Sequence, residues 1–166
     1  MKILIGYYSE SGNTEKIAES IYAELENHDV VLKKITEIPS ESLKSYDLIF
    51  LGSPVHTGGF PKKFNTFIKE IPEKIDSKIV SFFTYGVPIP DFYDKYEPKI
   101  SKMAQKKGLD FLGTFKCLGE HRLLHVLEKL NKEAAEKARI VSKGHPNDED
   151  ISNAKNFAKE ILSKLN

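Results

Sequence analysis

The chain has 166 residues, 40% hydrophobic and 30% charged, with 25 Lys and Arg against 24 Asp and Glu for a formal net charge of +1. That length suits one domain spanning 1–166 with a real core, and so balanced a charge points to neither nucleic acid nor a membrane surface as partner. A single cysteine, Cys117, excludes an internal disulfide and fits a reducing, cytoplasmic setting. The opening MKILIGYYSE holds an apolar run too short for a membrane span and shows no signal-cleavage pattern.

In chain order, KILIGYY reads as a buried strand and TEKIAESIYAELEN as a helix, with Ile17, Ile21 and Leu25 four apart on one face. DVVLKKI is a second strand, and DLIFLG a third, almost continuously apolar, as a strand covered on both faces must be. PKKFNTFIKEI opens a helix at Pro61 and spaces Phe64, Phe67, Ile68 and Ile71 by three and four. KIVSFFTY is a fourth strand; DFYDKYEPKISKMAQKKG is helical, with a kink or restart expected at Pro98 and an end at Gly108. LDFLGTFKCLG is a fifth strand, and RLLHVLEKLNKEAAEKARI a further helix. HPNDEDISNAKNFAKEILSKL closes the chain as a helix capped by Asn147, with acids in its first turn and Ile151, Ala154, Ala158, Ile161 and Leu165 on one side. The lysine pairs Lys33/Lys34, Lys62/Lys63 and Lys106/Lys107 read as solvated faces.

Strand–helix alternation from end to end predicts a parallel sheet with helices on both faces. Ligands of such sheets bind beyond the carboxyl ends of the strands, where strand order reverses. The loop after the first strand, SESGNT, places Ser9, Glu10, Ser11, Gly12, Asn13 and Thr14 between a strand end and a helix start. Unpaired backbone N–H groups and the positive end of the helix dipole meet there. Gly12 lets the backbone approach a ligand, and the hydroxyls and amide add neutral donors, so an anion would be held without Lys or Arg. A helix cap alone needs only one such side chain. The P-loop and dinucleotide fingerprints both fail here: Gly12 is followed by Asn13 and Thr14, and the loop has a single glycine.

SESGNT resembles the Thr/Ser-x-Thr/Ser-Gly-x-Thr loop with which the flavodoxin family wraps the phosphate of flavin mononucleotide (FMN). That family is itself a standing illustration of strand order 2-1-3-4-5 with FMN at the switch point. The resemblance implies a flavodoxin-like three-layer α/β/α sandwich on a five-stranded parallel sheet in that order. GSPVHTGGF is similar to the loop packed on one face of the isoalloxazine ring. That likeness assigns cofactor contacts to Pro54, Val55, His56, Thr57, Gly58 and Gly59, with Val55 and His56 against the ring and Gly58 as the glycine whose peptide turns its carbonyl toward flavin N5. TYGVPIP resembles the loop flanking the other ring face, which adds Thr84, Tyr85 and Gly86. Tyr85 is the expected stacking aromatic, with Phe92 and Tyr93 in reserve. The likeness extends to GTFKCLGEH and the closing helix, leaving out the helix around 122–141.

What this implies is a low-potential electron carrier that cycles through a neutral semiquinone, exchanges electrons with redox partner proteins and is a monomer or weak dimer, with no nucleic-acid or membrane partner. The alternative is an NAD(P)H-dependent FMN or quinone reductase on the same fold, and a third class is a flavin-free interaction module. Two departures stand out: the chain is near neutral, and it carries Gly59-Phe60 where flavodoxins usually place an acidic residue beside the N5 glycine. Three further patterns are weak. Cys117 to Arg122 is one residue short of a cysteine–x5–arginine phosphatase loop; His121, His125 and Glu128 share a helical face without a second ligand cluster; and the acids a receiver domain needs at the ends of the first and third strands are missing.

Overall fold

The computed structural model describes residues 1–56, 59–86, 94–120, 128–129 and 131–165. Five parallel strands form one sheet: β1 (Lys2–Tyr7), β2 (Asp29–Lys34), β3 (Leu48–Pro54), β4 (Lys78–Tyr85) and β5 (Phe111–Leu118), in the order β2-β1-β3-β4-β5. The helices are α1 (Asn13–Leu25), α2 (Lys62–Glu70), α3 (Glu97–Lys106), α4 (Lys132–Ser142) and α5 (Asp148–Ser163). No helix among the described residues is long and apolar enough to cross a membrane.

Period-2 alternation sorts the apolar strands into two cores. Ile3, Ile5 and Tyr7 of β1, Leu48 and Phe50 of β3 and Val80 and Phe82 of β4 pack with Ile17 and Ile21 of α1 and Ala154, Ala158 and Ile161 of α5. Leu4, Ile49, Leu51, Ile79 and Phe83 point the other way, onto Phe64, Phe67 and Ile68 of α2 and Ile100 and Ala104 of α3. The strands read as continuous apolar runs because both faces are covered.

The structure sharpens three sequence expectations. Pro98 does not kink a helix. It lies in the first turn of α3, which begins at Glu97, after a 3-10 turn at Asp94–Tyr96; a proline there lacks only an N–H that would have no intrahelical partner. The helix expected over 122–140 is described as α4 and residues 128–129, and the rest of its first half lies outside the described residues. Two 3-10 turns follow the second strand: Ile35–Glu37, which takes over Ile35 from the end of the predicted strand, and Ser40–Ser45, where no element was predicted. Asn147 caps α5 as expected, in a reciprocal capping box with Asp150.

Candidate cofactor-binding site

β1 lies inside the sheet, and the chain leaves it in one direction to β2 and in the other to β3. The crevice beyond the carboxyl ends of β1 and β3 is therefore the switch point, and the loops after β1, β3 and β4 converge on it.

The first loop is closed by its own atoms. Ser9 Oγ accepts from the Gly12 N–H at 3.1 Å, and Gly12 takes φ +88° as the N-cap residue of α1, which has no side-chain cap. The first helical bond runs from Lys16 N–H to the Gly12 carbonyl. The N–H groups of Asn13, Thr14 and Glu15 accordingly have no hydrogen-bond partner among the described residues, as the first turn of a helix dictates. A cap would have pulled Ser or Asn onto these donors. Instead Asn13 donates to the Glu120 carbonyl at 3.0 Å, and the Thr14 hydroxyl pairs with that of Thr84 at 2.8 Å, buried, tying the helix start to the end of β4. Ser11 stays half-buried and Glu10 exposed on the rim. Lys16 is the nearest cation along the chain, and its ammonium donates to the Pro146 carbonyl at 2.6 Å.

In the second loop, Val55 donates to the Thr84 carbonyl at 2.8 Å, and its side chain is 3% exposed in the core on the α2 side. Pro54 is half-buried at the end of β3. His56 and Gly59 exchange both backbone hydrogen bonds, at 3.0 and 2.9 Å, so the loop is pinched at its base. Thr57 and Gly58 lie outside the described residues. Gly59 takes φ +115°, which side-chain-bearing residues rarely adopt, and a Cβ there would come 3.5 Å from the Tyr96 ring. The His56 ring bonds Glu10 at 2.8 Å, and Tyr8 donates to the other Glu10 oxygen at 3.0 Å. One carboxylate thus clasps the first loop to the second.

In the third loop, Thr84 is buried, while Tyr85 and Gly86 are half-buried. Burial pushes the Tyr85 phenol up, and the Tyr85 carbonyl accepts from Gly119 at 2.9 Å. Phe92 and Tyr93 lie outside the described residues. Lys116 is paired with Asp94, a hydrogen bond that raises its ammonium above the usual range.

Several residues here escaped sequence reasoning. Gly119 allows β5 to abut the first loop, since a Cβ would come within 2.6–2.8 Å of the Asn13 side chain. Glu120 N–H in turn bonds the His145 carbonyl at 2.7 Å, so the turn before α5 buttresses the same loop. Partners of Asn13 and Thr14 that lie 107 and 70 residues away leave no local signal. Cys117 is buried and burial raises its thiol, which removes the thiolate a phosphatase nucleophile needs; Arg122, His121 and His125 lie outside the described residues.

Residues 4–146 match the family model for the flavodoxin domain. The chain belongs to the flavodoxin family. It is 34% identical over 165 residues to an uncharacterised protein of Methanocaldococcus jannaschii, covering 98% of this chain and 99% of that one. It is also 29% identical over 183 residues to the flavodoxin-like domain-containing protein BilS of Clostridioides difficile, covering 99% and 98%. Among solved structures, oxidised flavodoxin 2 from Bacillus cereus superposes with a TM-score of 0.74 at 24% identity over 99% of both chains. As a member of that family, the chain has the flavodoxin-like fold, with the sheet order that the resemblance of its loops implies.

The residues present fit the phosphate of such a cofactor. Three adjacent backbone donors converge at a helix start, an unobstructed glycine stands before them, and no acidic side chain caps the helix.

Proposed function

We propose that the chain is an FMN-binding, low-potential electron carrier that cycles through a neutral semiquinone, with residues 1–166 acting as one domain in the cytoplasm. What most supports this reading is the start of α1: backbone donors of Asn13, Thr14 and Glu15 without partners, and no side-chain cap, at the β1/β3 switch point. FMN, when bound, supplies one-electron chemistry that amino-acid side chains lack. Ser9, Glu10, Ser11, Gly12, Asn13 and Thr14 hold its phosphate end. Pro54, Val55, His56, Thr57, Gly58 and Gly59 form one wall for its ring, and Thr84, Tyr85 and Gly86 the other. Val55 and Thr84, buried and bonded backbone to backbone, set the depth of the site. Gly58 is assigned the peptide whose carbonyl turns to accept from flavin N5. Donors and acceptors of the electron are redox partner proteins.

The test compares FMN with riboflavin by flavin fluorescence, followed by anaerobic photoreduction of the loaded protein. FMN is expected to bind at least about tenfold more tightly, because only its phosphate meets the helix start, and a blue radical is expected to accumulate, less so in Gly58→Ala. Equal binding of the two flavins, or rapid quinone turnover with NADPH and no added reductase, would overturn the reading.

A further inference from the structure

The near-zero net charge conceals two opposite faces. α2 carries three lysines against one glutamate and α3 likewise, a net +4 on the helices of one side. α1 and α5, packed together on the other, hold seven acids against three lysines, a net −4. The acidic side is partly neutralised by its own pairs, such as Lys159–Glu24 at 3.2 Å. On the basic side Lys62, Lys63 and Lys99 make no ion pair among the described residues and are exposed.

These lysines stand beside the candidate site. The Lys63 ammonium lies 5.9 Å from the ring of Tyr8, the residue that leaves β1 and bonds Glu10. The Lys99 ammonium lies 4.8 Å from the ring of Tyr96, whose edge faces Gly59. Lys62 and Lys63 also form the lip of a groove of about 430 Å³ between α2 and the turn at Ile35–Ile38, lined by Ile35, Ile38 and Phe67. Its charged lining residues are Lys62 and Lys63 against Glu70. An apolar floor with a net positive lip is the make-up of a protein-docking surface, with charge setting orientation and encounter rate.

We propose that this α2–α3 face, anchored on Lys62, Lys63 and Lys99, is where the chain docks an acidic redox protein. The proposal builds on the electron-carrier reading. It reverses the polarity expected of an acidic flavodoxin meeting a basic partner.

The probe is cytochrome b5, an acidic haem protein, with basic cytochrome c as counter-probe. In a heteronuclear NMR titration of the FMN-loaded chain at low salt, cytochrome b5 is expected to perturb amides of α2, α3 and the 35–38 turn, and the effect should fade near 0.5 M salt. Lys62→Glu/Lys63→Glu/Lys99→Glu is expected to weaken that binding at least about tenfold, whereas Lys132→Glu/Lys155→Glu/Lys164→Glu is not. Perturbation centred on α1 and α5, tighter binding of cytochrome c than of cytochrome b5, self-association through the two faces in place of binding, or an unaffected charge-reversed variant would overturn it. The electron-carrier reading fails separately, if the reduced, loaded chain passes no electron to ferricyanide, and the titration still decides the docking face.

Discussion

Gly12 occupies a conformation that costs an L-residue about 1 kcal/mol, yet a methyl group added there would meet nothing within 4 Å. Strain and crowding are separable at this position. Gly12→Ala is expected to lower unfolding stability by about 1 kcal/mol in urea melts, and to weaken FMN more than riboflavin, because only the phosphate would compete for the space the methyl fills. A loss shared equally by the two flavins would mean that the loop is merely strained. Tyr7 offers a residue-scale test by pH. Its hydroxyl donates to Glu15, which lowers that carboxyl below its usual range, Lys34 at 3.5 Å adding to the effect; burial, then the Glu15 bond, raises the phenol. A lowered acid contributes stability above its unfolded pKa that is lost as pH falls through the folded one. A raised phenol contributes stability below about 10 that is lost as pH climbs beyond it. Tyr7→Phe should therefore cost about 1 kcal/mol near neutrality, with the gap to wild type narrowing below about pH 4 and above about pH 10. Denaturant melts across pH check this, and a gap independent of pH would refute it.

At the scale of elements, the Thr14–Thr84 hydroxyl pair joins the first turn of α1 to the end of β4 in a buried setting. Removing one hydroxyl strands the other, at about 1–3 kcal/mol, while removing both is much cheaper. Thr14→Val and Thr84→Val should each destabilise, and the double variant should cost clearly less than the two together, a coupling that a double-mutant cycle reads directly; strict additivity would dissolve the link. That pair also marks where sequence reasoning stops. The sheet was legible because its signal is local: covered strands such as LIFLG are apolar throughout, Ile17 and Ile21 repeat at a helical spacing, and Asn147 with Asp150 writes its own capping box. The loop we propose for the phosphate also carries a local signal, being six consecutive residues. Illegible were features set by distant partners: the redirection of Asn13 to Glu120, the fit of Gly119 against Asn13, the clasp of His56 on Glu10, and the bulge that skips Leu112 where β5 pairs with β4. At Pro98 the sequence left a kink and a restart both open, because a proline looks alike inside a helix and in its first turn; the neighbouring 3-10 turn decides for the restart.

At the scale of the molecule, charge decides how readily a bound flavin would take its second electron. Full reduction adds negative charge, which surrounding anions oppose and cations favour. Here the rim acid Asp94 is paired with Lys116 and Glu10 is hydrogen-bonded by His56 and Tyr8, while Lys63 and Lys99 flank the site with no ion pair among the described residues. A unit charge about 10 Å away contributes roughly 0.4–1.7 kcal/mol for effective dielectric constants between about 80 and 20. The second reduction potential is therefore expected to be less negative than that of a strongly acidic flavodoxin measured alongside it. Lys62→Glu/Lys63→Glu/Lys99→Glu should lower it by about 20 mV or more at low salt, and by less as salt screens the rim. Anaerobic redox titration of both proteins gives the comparison. A potential equal to the acidic flavodoxin's, and unmoved by reversing three lysines, would mean that solvent and the groups lining the ring outweigh the surface field.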